Sequence, residues 1–302
     1  MYEALFARSG LSLERLRSLI QVAEAGGISR AVGDDPTRQS LVSRQLKELE
    51  EFFEVELTRR DGKRLALTPA GRALVEVARE HLMALDDFVK SSRDEVVRFK
   101  LGAGDSLMHW HIVPRLRPLQ RALPRVTLRL VRAVATTIAE QLLAMGLDFG
   151  VMRTERADRS LASEPLGTLE YSLFAPRTLL RSRSRPDVRW ILEHIPTAVT
   201  YTDEGLARWW RTMRGTPGLP DKFALECETF PQAARAVSSG AYAAILPRAA
   251  RADFDRDTVF EVRGSDLEPL THDVALVWNP RLMRTRSTAD SVRRELADAL
   301  RW

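Results

Sequence analysis

The chain has 302 residues, of which 44% are hydrophobic and 29% are charged, and its formal net charge at pH 7 is +5. The length allows two or three compact units, and the composition is that of a soluble globular protein. No apolar run reaches the roughly 18 residues of a membrane span, and the N-terminal residues do not form a signal peptide. The single cysteine, Cys227, excludes an intrachain disulfide and fits a reducing cytosol, so we expect a cytoplasmic protein that does not enter a membrane.

The positive net charge is weak evidence for nucleic-acid binding, because acidic and basic residues nearly balance in residues 1–98. Most of the basic residues are arginines, which a genomic composition bias would explain. A DNA-binding surface in this third of the chain must therefore be a local patch, with the acidic side chains held away from the duplex.

Residues 11–25 are predicted to form a first helix, with Ser12 as its N-cap and a pair of glycines at its end. Residues 30–71 then read as a short helix, a turn, a second helix and a basic hairpin. In the second helix, four apolar residues recur at helical spacing and predict a buried stripe. These residues are Val42, Leu46, Leu49 and Phe53.

The opposite face of the second helix carries side chains suited to DNA. Small hydroxyls, an amide and cations can bind base edges and phosphates in a major groove. The candidate DNA-binding residues of this region are Arg30, Thr37, Arg38, Gln39, Ser40, Ser43, Arg44 and Lys47. We expect Arg44 and Gln39 to make contacts inside the groove; the alternative is an ordinary solvated helix face.

A predicted strand–turn–strand follows, with its turn at Asp61-Gly62. Its basic residues are Arg59, Arg60, Lys63 and Arg64. We expect this hairpin to act as a wing that touches the DNA backbone, with Arg60 and Arg64 in or beside the minor groove.

The segments AEAGGISRAV (23–32), RQSLVSRQLKELEEFF (38–53), VELTRR (55–60) and LTPAG (67–71) fall into one ungapped register. This register resembles the winged helix-turn-helix of the LysR-type transcriptional regulators. The resemblance implies an all-α winged helix-turn-helix domain in residues 1–68. It further implies a sequence-specific regulator that binds a double-stranded DNA operator as a homodimer or homotetramer, with RNA polymerase as a further candidate partner.

The sequence departs from the family pattern at several positions of this domain. The family usually has Leu at Asp35, Ser-Gln-Pro at Arg38-Gln39-Ser40, Gly at Glu54 and Phe at Thr58. Because Pro36 disfavours helix at the residue before it, we expect residues 33–36 to shorten the first helix of the motif. Thr37 is then the expected N-cap of the second helix. Base preference cannot be carried over from the family at these positions.

Thr68 and Pro69 open a long predicted helix, as N-cap and first helical residue, that runs to about residue 93. About 25 residues at 1.5 Å each span nearly 40 Å, which a small domain cannot bury alone. We expect residues 69–95 to form a linker helix that pairs with the same helix of a second subunit, as in the LysR family. The alternative is packing on the chain's own C-terminal domain. The expected dimerisation stripe is Leu74, Ala78, Leu82, Leu85 and Val89.

From Phe99 onward, strands alternate with helices, which predicts an α/β architecture with largely parallel sheets. The predicted strands are 99–104, 126–132, 147–153, 169–176, 196–201, 241–247, 258–260 and 272–278. The predicted helices are 111–123, 136–145, 206–214, 231–239 and 285–300.

The segments LGAG, GLDFGV and VSSGAYAAILP resemble the LysR effector domain, a two-lobed fold of the periplasmic-binding-protein type (type 2). The resemblance places this effector-binding domain in residues 96–302. Lobe I is expected at about 96–171 and 278–302, and lobe II at about 172–277.

In open α/β sheets, ligands bind beyond the carboxyl ends of strands, where helix N-termini offer free N–H groups. The candidate effector-binding residues at such positions are Gly104, Asp105, Ser106, Thr136, Thr137, Arg153, Tyr201, Thr202 and Phe230. Their hydroxyls, helix starts and one arginine would suit a small-molecule effector that is an organic anion, held between the lobes. For each residue singly, a role in capping or turning the chain is the alternative.

No catalytic or cofactor motif of the common hydrolase, zinc-protease, Walker or dinucleotide-binding types occurs, so we expect neither an enzyme nor a cofactor. The pair His109 and His111 lacks partners at ligand spacing, so no metal site is expected. An effector-responsive DNA-binding regulator is the leading hypothesis. The alternatives are a ligand-independent DNA-binding regulator with a vestigial cleft and an α/β enzyme with an accessory helical domain.

Overall fold

The computed structural model describes residues 3–61, 64–93, 95–180, 186–200, 204–213 and 224–302. The chain divides into two compact units, which are described separately below. Unit 1 comprises residues 1–97 and 281–290, and unit 2 comprises residues 98–280 and 291–302.

The elements of the N-terminal part are mostly helical. They are α1 (Glu3–Phe6), α2 (Leu13–Ala25), α3 (Ile28–Val32), α4 (Pro36–Phe53), β1 (Thr58–Asp61), β2 (Arg64–Leu67) and α5 (Pro69–Ser92). Strands and helices then alternate. They are β3 (Val97–Ala103), α6 (Asp105–Leu107), α7 (Leu116–Ala122), β4 (Val126–Arg132), α8 (Ala135–Leu143), β5 (Phe149–Arg153), β6 (Ala162–Leu169), β7 (Tyr171–Pro176), α9 (Val188–His194), β8 (Thr197–Thr200), α10 (Glu204–Met213), β9 (Leu225–Cys227), α11 (Phe230–Ser238), β10 (Ala243–Pro247), β11 (Val259–Val262), β12 (His272–Trp278), α12 (Leu282–Thr285) and α13 (Ala289–Leu300).

The core of unit 1 forms where α2, α4 and the start of α5 pack together, with Leu19 and Leu49 fully buried. The predicted N-cap of α2 is confirmed, because Ser12 Oγ accepts a hydrogen bond from the Arg15 N–H at 3.2 Å. Along α4 the buried stripe includes Phe52, whereas the predicted Phe53 is only half-buried. The helix-turn-helix expected from the sequence is therefore present.

The start of α4 differs from the prediction. Asp35, and not Thr37, is the N-cap: its Oδ1 accepts from the N–H groups of Thr37 (2.9 Å) and Arg38 (3.2 Å). Pro36 occupies the first helical position, where its missing N–H costs nothing and its fixed φ suits a helix. The carboxylate at the family's leucine position thus starts this helix, and α3 is shortened to five residues.

The end of α4 explains why the family has glycine at residue 54. Glu54 adopts the left-handed conformation with φ +53°, which an L side chain disfavours and glycine tolerates. Just beyond it, Glu50 Oε1 accepts three hydrogen bonds of 2.9 Å, from the N–H groups of Leu57 and Thr58 and from Thr58 Oγ1. Threonine in place of the family's phenylalanine therefore ties the first wing strand to α4.

The predicted wing is an antiparallel pair in which Arg59 opposes Ala66 and Asp61 opposes Arg64. Asp61 therefore belongs to strand β1, so its prediction as a turn residue is wrong. Gly62 and Lys63 lie outside the described residues.

Helix α5 starts as predicted, since Thr68 Oγ1 accepts from the Gly71 N–H at 3.0 Å. Two residues of the predicted dimerisation stripe face the unit's own interior: Ala78 is 1% exposed, and Leu74 packs against the core of α2 and α4. Leu82 is half-buried, whereas Leu85 and Val89 are exposed. The prediction is therefore corrected for Ala78 and Leu74, because α2 covers this side of the helix.

The segment 281–290 packs on α5 through a buried ion pair. Asp87 and Arg286 are 2% and 5% exposed, and Asp87 Oδ1 accepts from Arg286 Nη2 at 2.7 Å and from Nε at 3.1 Å. Thr288 Oγ1 donates to the other carboxylate oxygen at 3.2 Å, and Arg281 pairs with Glu80 at 3.1 Å. Within unit 1, the segment 281–290 therefore covers part of α5.

Unit 2 contains two five-stranded sheets, in the strand orders β4-β3-β5-β12-β6 and β11-β7-β10-β8-β9. The sheets are mixed and not largely parallel as predicted: β3 is parallel to β5, but β12 is antiparallel to both of its neighbours, and so is β7. The two-lobed fold is therefore present, with lobe I built on the first sheet and lobe II on the second.

The expected return from lobe II to lobe I at residue 278 is wrong. Strand β12 pairs with β5 and β6 of the first sheet, so the chain has already returned before His272. Strands β6 and β9 were not predicted. The predicted helix 111–123 is interrupted: a π-helical turn (Met108–Ile112) and a 3₁₀ turn (Val113–Arg115) precede α7, because Pro114 cannot continue a regular helix. The last helix begins at Ala289 and not at residue 285.

Among the described residues, no helix is both long enough and apolar enough to cross a membrane.

Candidate DNA-binding surface and effector cleft

The outer face of α4 presents the polar side chains that the sequence singled out. The exposed residues of this set are Thr37, Arg38, Ser40, Ser43, Arg44 and Lys47. Arg30, on α3, and Arg59, on the wing, are exposed as well. The backbone pairing places Arg60 opposite Leu65 and Arg64 opposite Asp61, on the two wing strands.

Arg44 is held in place without being withdrawn from solvent. Its side chain is 77% exposed, and its Nε donates to Glu48 Oε1 at 2.9 Å, one helical turn away. Glu48 also pairs with Arg15 of α2 at 2.5 Å, and these two arginines hold the pKa of its carboxyl below the ordinary value. The Nη groups of Arg44 are thus left to bind a ligand at the surface.

Gln39 is only half-exposed, because its Nε2 donates to the Gly33 carbonyl at 2.7 Å. This bond closes the turn between α3 and α4. The amide oxygen is the group left to contact a base, so Gln39 can accept from an exocyclic amine of adenine or cytosine.

The acidic residues of α4, and Glu54 directly after it, form contacts within unit 1. Glu51 pairs with Lys47 at 3.7 Å, Glu54 pairs with Arg8, and Glu50 holds the wing. Lys47 and Arg8 therefore partly neutralise the charges of Glu51 and Glu54, which would otherwise repel a duplex.

In unit 2, six of the nine predicted effector residues line one cavity of about 270 Å³. These are Gly104, Asp105, Ser106, Thr136, Arg153 and Phe230. Thr137 is next to the cavity in sequence but is not part of its described lining. Tyr201 and Thr202 lie outside the described residues.

Two hydrogen bonds cross this cavity region. Asp105, at the start of α6 in lobe I, accepts from the Phe230 N–H at the start of α11 in lobe II, at 2.8 Å. Arg153 Nη2 donates to the Tyr171 hydroxyl, where β7 begins, at 3.0 Å. A protein carboxylate therefore occupies one helix N-terminus of the cleft, and an arginine is fixed beside it.

Two further arginines, Arg132 and Arg156, line the same cavity and were not among the predicted residues. Arg132 ends β4, and Arg156 lies in the turn after β5. The rule that ligands bind beyond the carboxyl ends of strands would have identified both. Among the described lining residues, three arginines therefore stand against one acidic residue, Asp105.

Among the described residues, no group of three or more His, Cys, Asp or Glu side chains is arranged to hold a metal ion. His109 lies 3.4 Å from Asp253, which also accepts from the Trp110 indole at 2.8 Å. Cys227 is buried in β9, and burial raises the pKa of its thiol.

Comparison with known families agrees with this geometry. Residues 93–301 match the LysR substrate binding domain, and residues 13–72 match the bacterial regulatory helix-turn-helix protein, lysR family. The chain belongs to the LysR family. It is a LysR-type transcriptional regulator with a winged helix-turn-helix domain and a two-lobed effector domain.

Relatives of this LysR-type regulator are themselves transcriptional regulators. It is 27% identical over 146 residues to the regulator DgdR of Burkholderia cepacia, a match covering 47% of this chain and 49% of DgdR. It is 26% identical over 278 residues to a probable nitrogen assimilation transcriptional activator of Synechococcus elongatus, covering 88% of each chain. The chain thus spans about half of the first relative and most of the second.

The fold is shared with solved full-length structures. A full-length OxyR variant from Pseudomonas aeruginosa aligns over 94% of this chain and 95% of its own, with a TM-score of 0.65 and 18% sequence identity. At this identity the likeness concerns the fold alone.

Proposed function

We propose that this LysR-type regulator acts in the cytoplasm by placing α4 in the major groove of an operator half-site and its wing on the adjacent backbone. The observation that carries the proposal is the outer face of α4, where Arg44 is oriented by Glu48 yet remains 77% exposed. A guanidinium presented in this way can bind guanine O6 and N7 with two hydrogen bonds. Arg38 and Lys47 can neutralise flanking phosphates.

The variant Arg44→Ala tests this proposal cleanly. Glu48 stays paired with Arg15 at 2.5 Å, so the change leaves no carboxylate without a partner. We expect operator affinity to fall by about 1–3 kcal/mol, with discrimination against random DNA falling in parallel. Arg121→Ala removes the same charge from an exposed position of α7 in unit 2 and should leave operator affinity unchanged. Fluorescence anisotropy with operator and scrambled duplexes measures both; equal losses on the two duplexes would assign Arg44 to the backbone.

The wing should behave differently. Because phosphate contacts carry no sequence information, Arg64→Ala should weaken binding to both duplexes alike. It should also make the negative slope of log K against log salt less steep by about one. An unchanged salt slope would remove Arg64 from the backbone contacts.

We further propose that two chains pair through α5, so that two α4 helices meet the halves of a partly palindromic site. Helix α5 supports this proposal because several of its large apolar side chains are exposed in the single chain. These are Val77, Leu85, Phe88 and Val89. Leu85→Asp with Phe88→Asp should give a folded chain of half the native mass by light scattering, and the same pair changed to Met should keep the native assembly. A doubly charged variant of unchanged mass would move the main interface elsewhere.

The cleft of unit 2 is proposed to bind a small organic anion that modulates the regulator. Support comes from three arginines, the hydroxyls of Ser106 and Thr136 and the first turn of α8, all lining one cavity. An anion contacting both lobes would shift the equilibrium between two arrangements of the lobes. The shift equals the difference in its binding free energy to the two arrangements, typically about 1–3 kcal/mol.

A thermal-shift panel of carboxylates tests the effector proposal, since a ligand at 100 times its Kd stabilises by about 2.7 kcal/mol. Any hit should lose at least tenfold in affinity in Arg153→Gln and Thr136→Val, measured by calorimetry, and keep its affinity in Arg121→Gln. A broad panel without a hit would favour the ligand-independent alternative.

A further inference from the structure

A second concave site lies on the edge of lobe II. It is formed beside β11, the edge strand of the second sheet, and has a volume of about 390 Å³. Its lining consists of Arg177, Arg251, Arg256, Val259, Phe260, Glu261 and Arg263. It shares no lining residue with the effector cavity.

The described lining contains four arginines and one acidic residue. The carboxylate of Glu261 is 8% exposed, and it accepts from Arg251 Nη1 at 2.8 Å, Arg263 Nε at 2.9 Å and Ser172 Oγ at 2.9 Å. Hydrogen bonds from these groups outweigh its burial and lower the pKa of Glu261, which therefore stays charged. One fixed negative charge thus organises two of the four guanidinium groups.

Neither of the other two arginines, Arg177 and Arg256, has an acidic partner among the described residues. Arg177 Nε donates to the Arg256 carbonyl at 2.8 Å, and the Arg177 guanidinium lies 5.1 Å from the centre of the Phe260 ring. These contacts fix the direction of Arg177 but leave its charge uncompensated. The carboxylate of Asp255 accepts from the Asp257 N–H at 2.9 Å within the same loop.

An arginine-rich composition alone would scatter these side chains over the surface. Here they converge on a depression around one buried carboxylate, and the lining carries four positive charges against one negative. Glu170, outside the lining, also attracts Arg263, but it is itself paired with Arg248. Among the lining residues alone, a singly charged ion would leave two positive charges uncompensated. Guanidinium groups bind both phosphates and carboxylates with paired N–H donors, so this arrangement suits a ligand with several negative charges.

We propose that this site, the lobe II arginine pocket, binds a small polyanion that carries two or more phosphate or carboxylate groups. The ligand places one anionic group between Arg177 and Arg256 and another against Arg251 and Arg263, whose outer N–H groups Glu261 does not use. The regulator then has a second ligand site, separate from its effector cavity.

Calorimetry on the full chain tests the proposal with inorganic pyrophosphate and citrate as probes. Inorganic phosphate and sodium chloride at matched ionic strength serve as controls. We expect pyrophosphate, citrate or both to bind at one site per chain, at least tenfold more tightly than phosphate. The preferred probe distinguishes a phosphate-bearing ligand from a polycarboxylate.

Variants then locate the bound probe. Arg177→Gln with Arg256→Gln should lower probe affinity at least tenfold while operator affinity is unchanged. Arg121→Gln is the matched surface control, Arg153→Gln reports binding in the effector cavity, and Arg44→Ala reports binding at the DNA surface. The proposal would be overturned if Arg153→Gln or Arg44→Ala lost probe binding while the double variant kept it. It would also be overturned if neither probe bound at millimolar concentration.

Discussion

Removing Arg286 should destabilise the linker helix far more than removing any surface arginine. Asp87 is 2% exposed in the native chain. Arg286→Met removes two of its hydrogen bonds, of 2.7 and 3.1 Å, and among the described residues leaves the bond from Thr288. Breaking a buried ion pair by removing one partner costs about 3–5 kcal/mol, because the other charge stays buried. This is a large part of the roughly 5–15 kcal/mol that stabilises a typical protein.

Replacing both partners should recover much of that loss. Asp87→Leu with Arg286→Met leaves no charge unpaired, so we expect the double variant to lie within about 1–2 kcal/mol of the native chain. The control is Arg281→Met, whose guanidinium is 52% exposed in its pair with Glu80. That change should cost less than about 1 kcal/mol, because solvent screens the pair.

The assay must report on unit 1, which contains none of the six tryptophans. Hydrogen exchange of the α5 amides provides the local free energy of opening for each variant. The coupling between Asp87 and Arg286 should exceed about 2 kcal/mol in the double-mutant cycle. If Arg286→Met cost no more than Arg281→Met, the burial argument would be refuted.

Three further changes test other features. Glu54→Gly should raise stability by about 0.5–1 kcal/mol in thermal unfolding, since it relieves a positive φ, whereas Glu51→Gly inside α4 should lower it by about 1 kcal/mol. Burial lowers the pKa of His111 from 6.5 to about 4, so on acidification the unfolded chain takes up a proton before the folded chain does. The free energy of unfolding should therefore fall as the pH drops from 6.5 to about 4, by up to about 1.4 kcal/mol per pH unit. In urea titrations, His111→Phe should remove this pH dependence. Asp105→Ala should cost about 1 kcal/mol in tryptophan-monitored melting through the lost bond to the Phe230 N–H, and a melting temperature equal to that of Asp105→Asn would contradict this role.

Local signals in the sequence were sufficient where neighbouring residues decide the structure. The bounds of β4 and β12 and the start of α5 were predicted correctly, because apolar runs and a Thr-Pro cap are local features. The start of α4 was predicted incorrectly, because Asp35 and Thr37 are both good N-caps and Pro36 at the first helical position decides between them.

Pairing between distant segments could not be read in the same way. Strand β12 is a continuous apolar run, and such a run does not specify which sheet it joins. Strand β6 was missed because Pro165 and Gly167 interrupt its pattern, although it pairs with β12 through an irregular register. The exposed polar face of α4 followed from helical periodicity, whereas the convergence of Arg132 and Arg156 on the effector cavity required the fold.

The three bonds that Glu50 accepts from Leu57 and Thr58 have a consequence for operator length. They join α4, which is proposed to contact bases, and β1, which is proposed to contact the DNA backbone, into one rigid unit. Such a unit cannot adapt to a duplex in which the base contact and the backbone contact lie farther apart. A single base pair inserted between them, at about 3.4 Å of rise, should therefore be tolerated by a Glu50→Ala protein better than by the native one. The Glu50 carboxylate would then determine how strictly the regulator requires a fixed spacing between the two contacts.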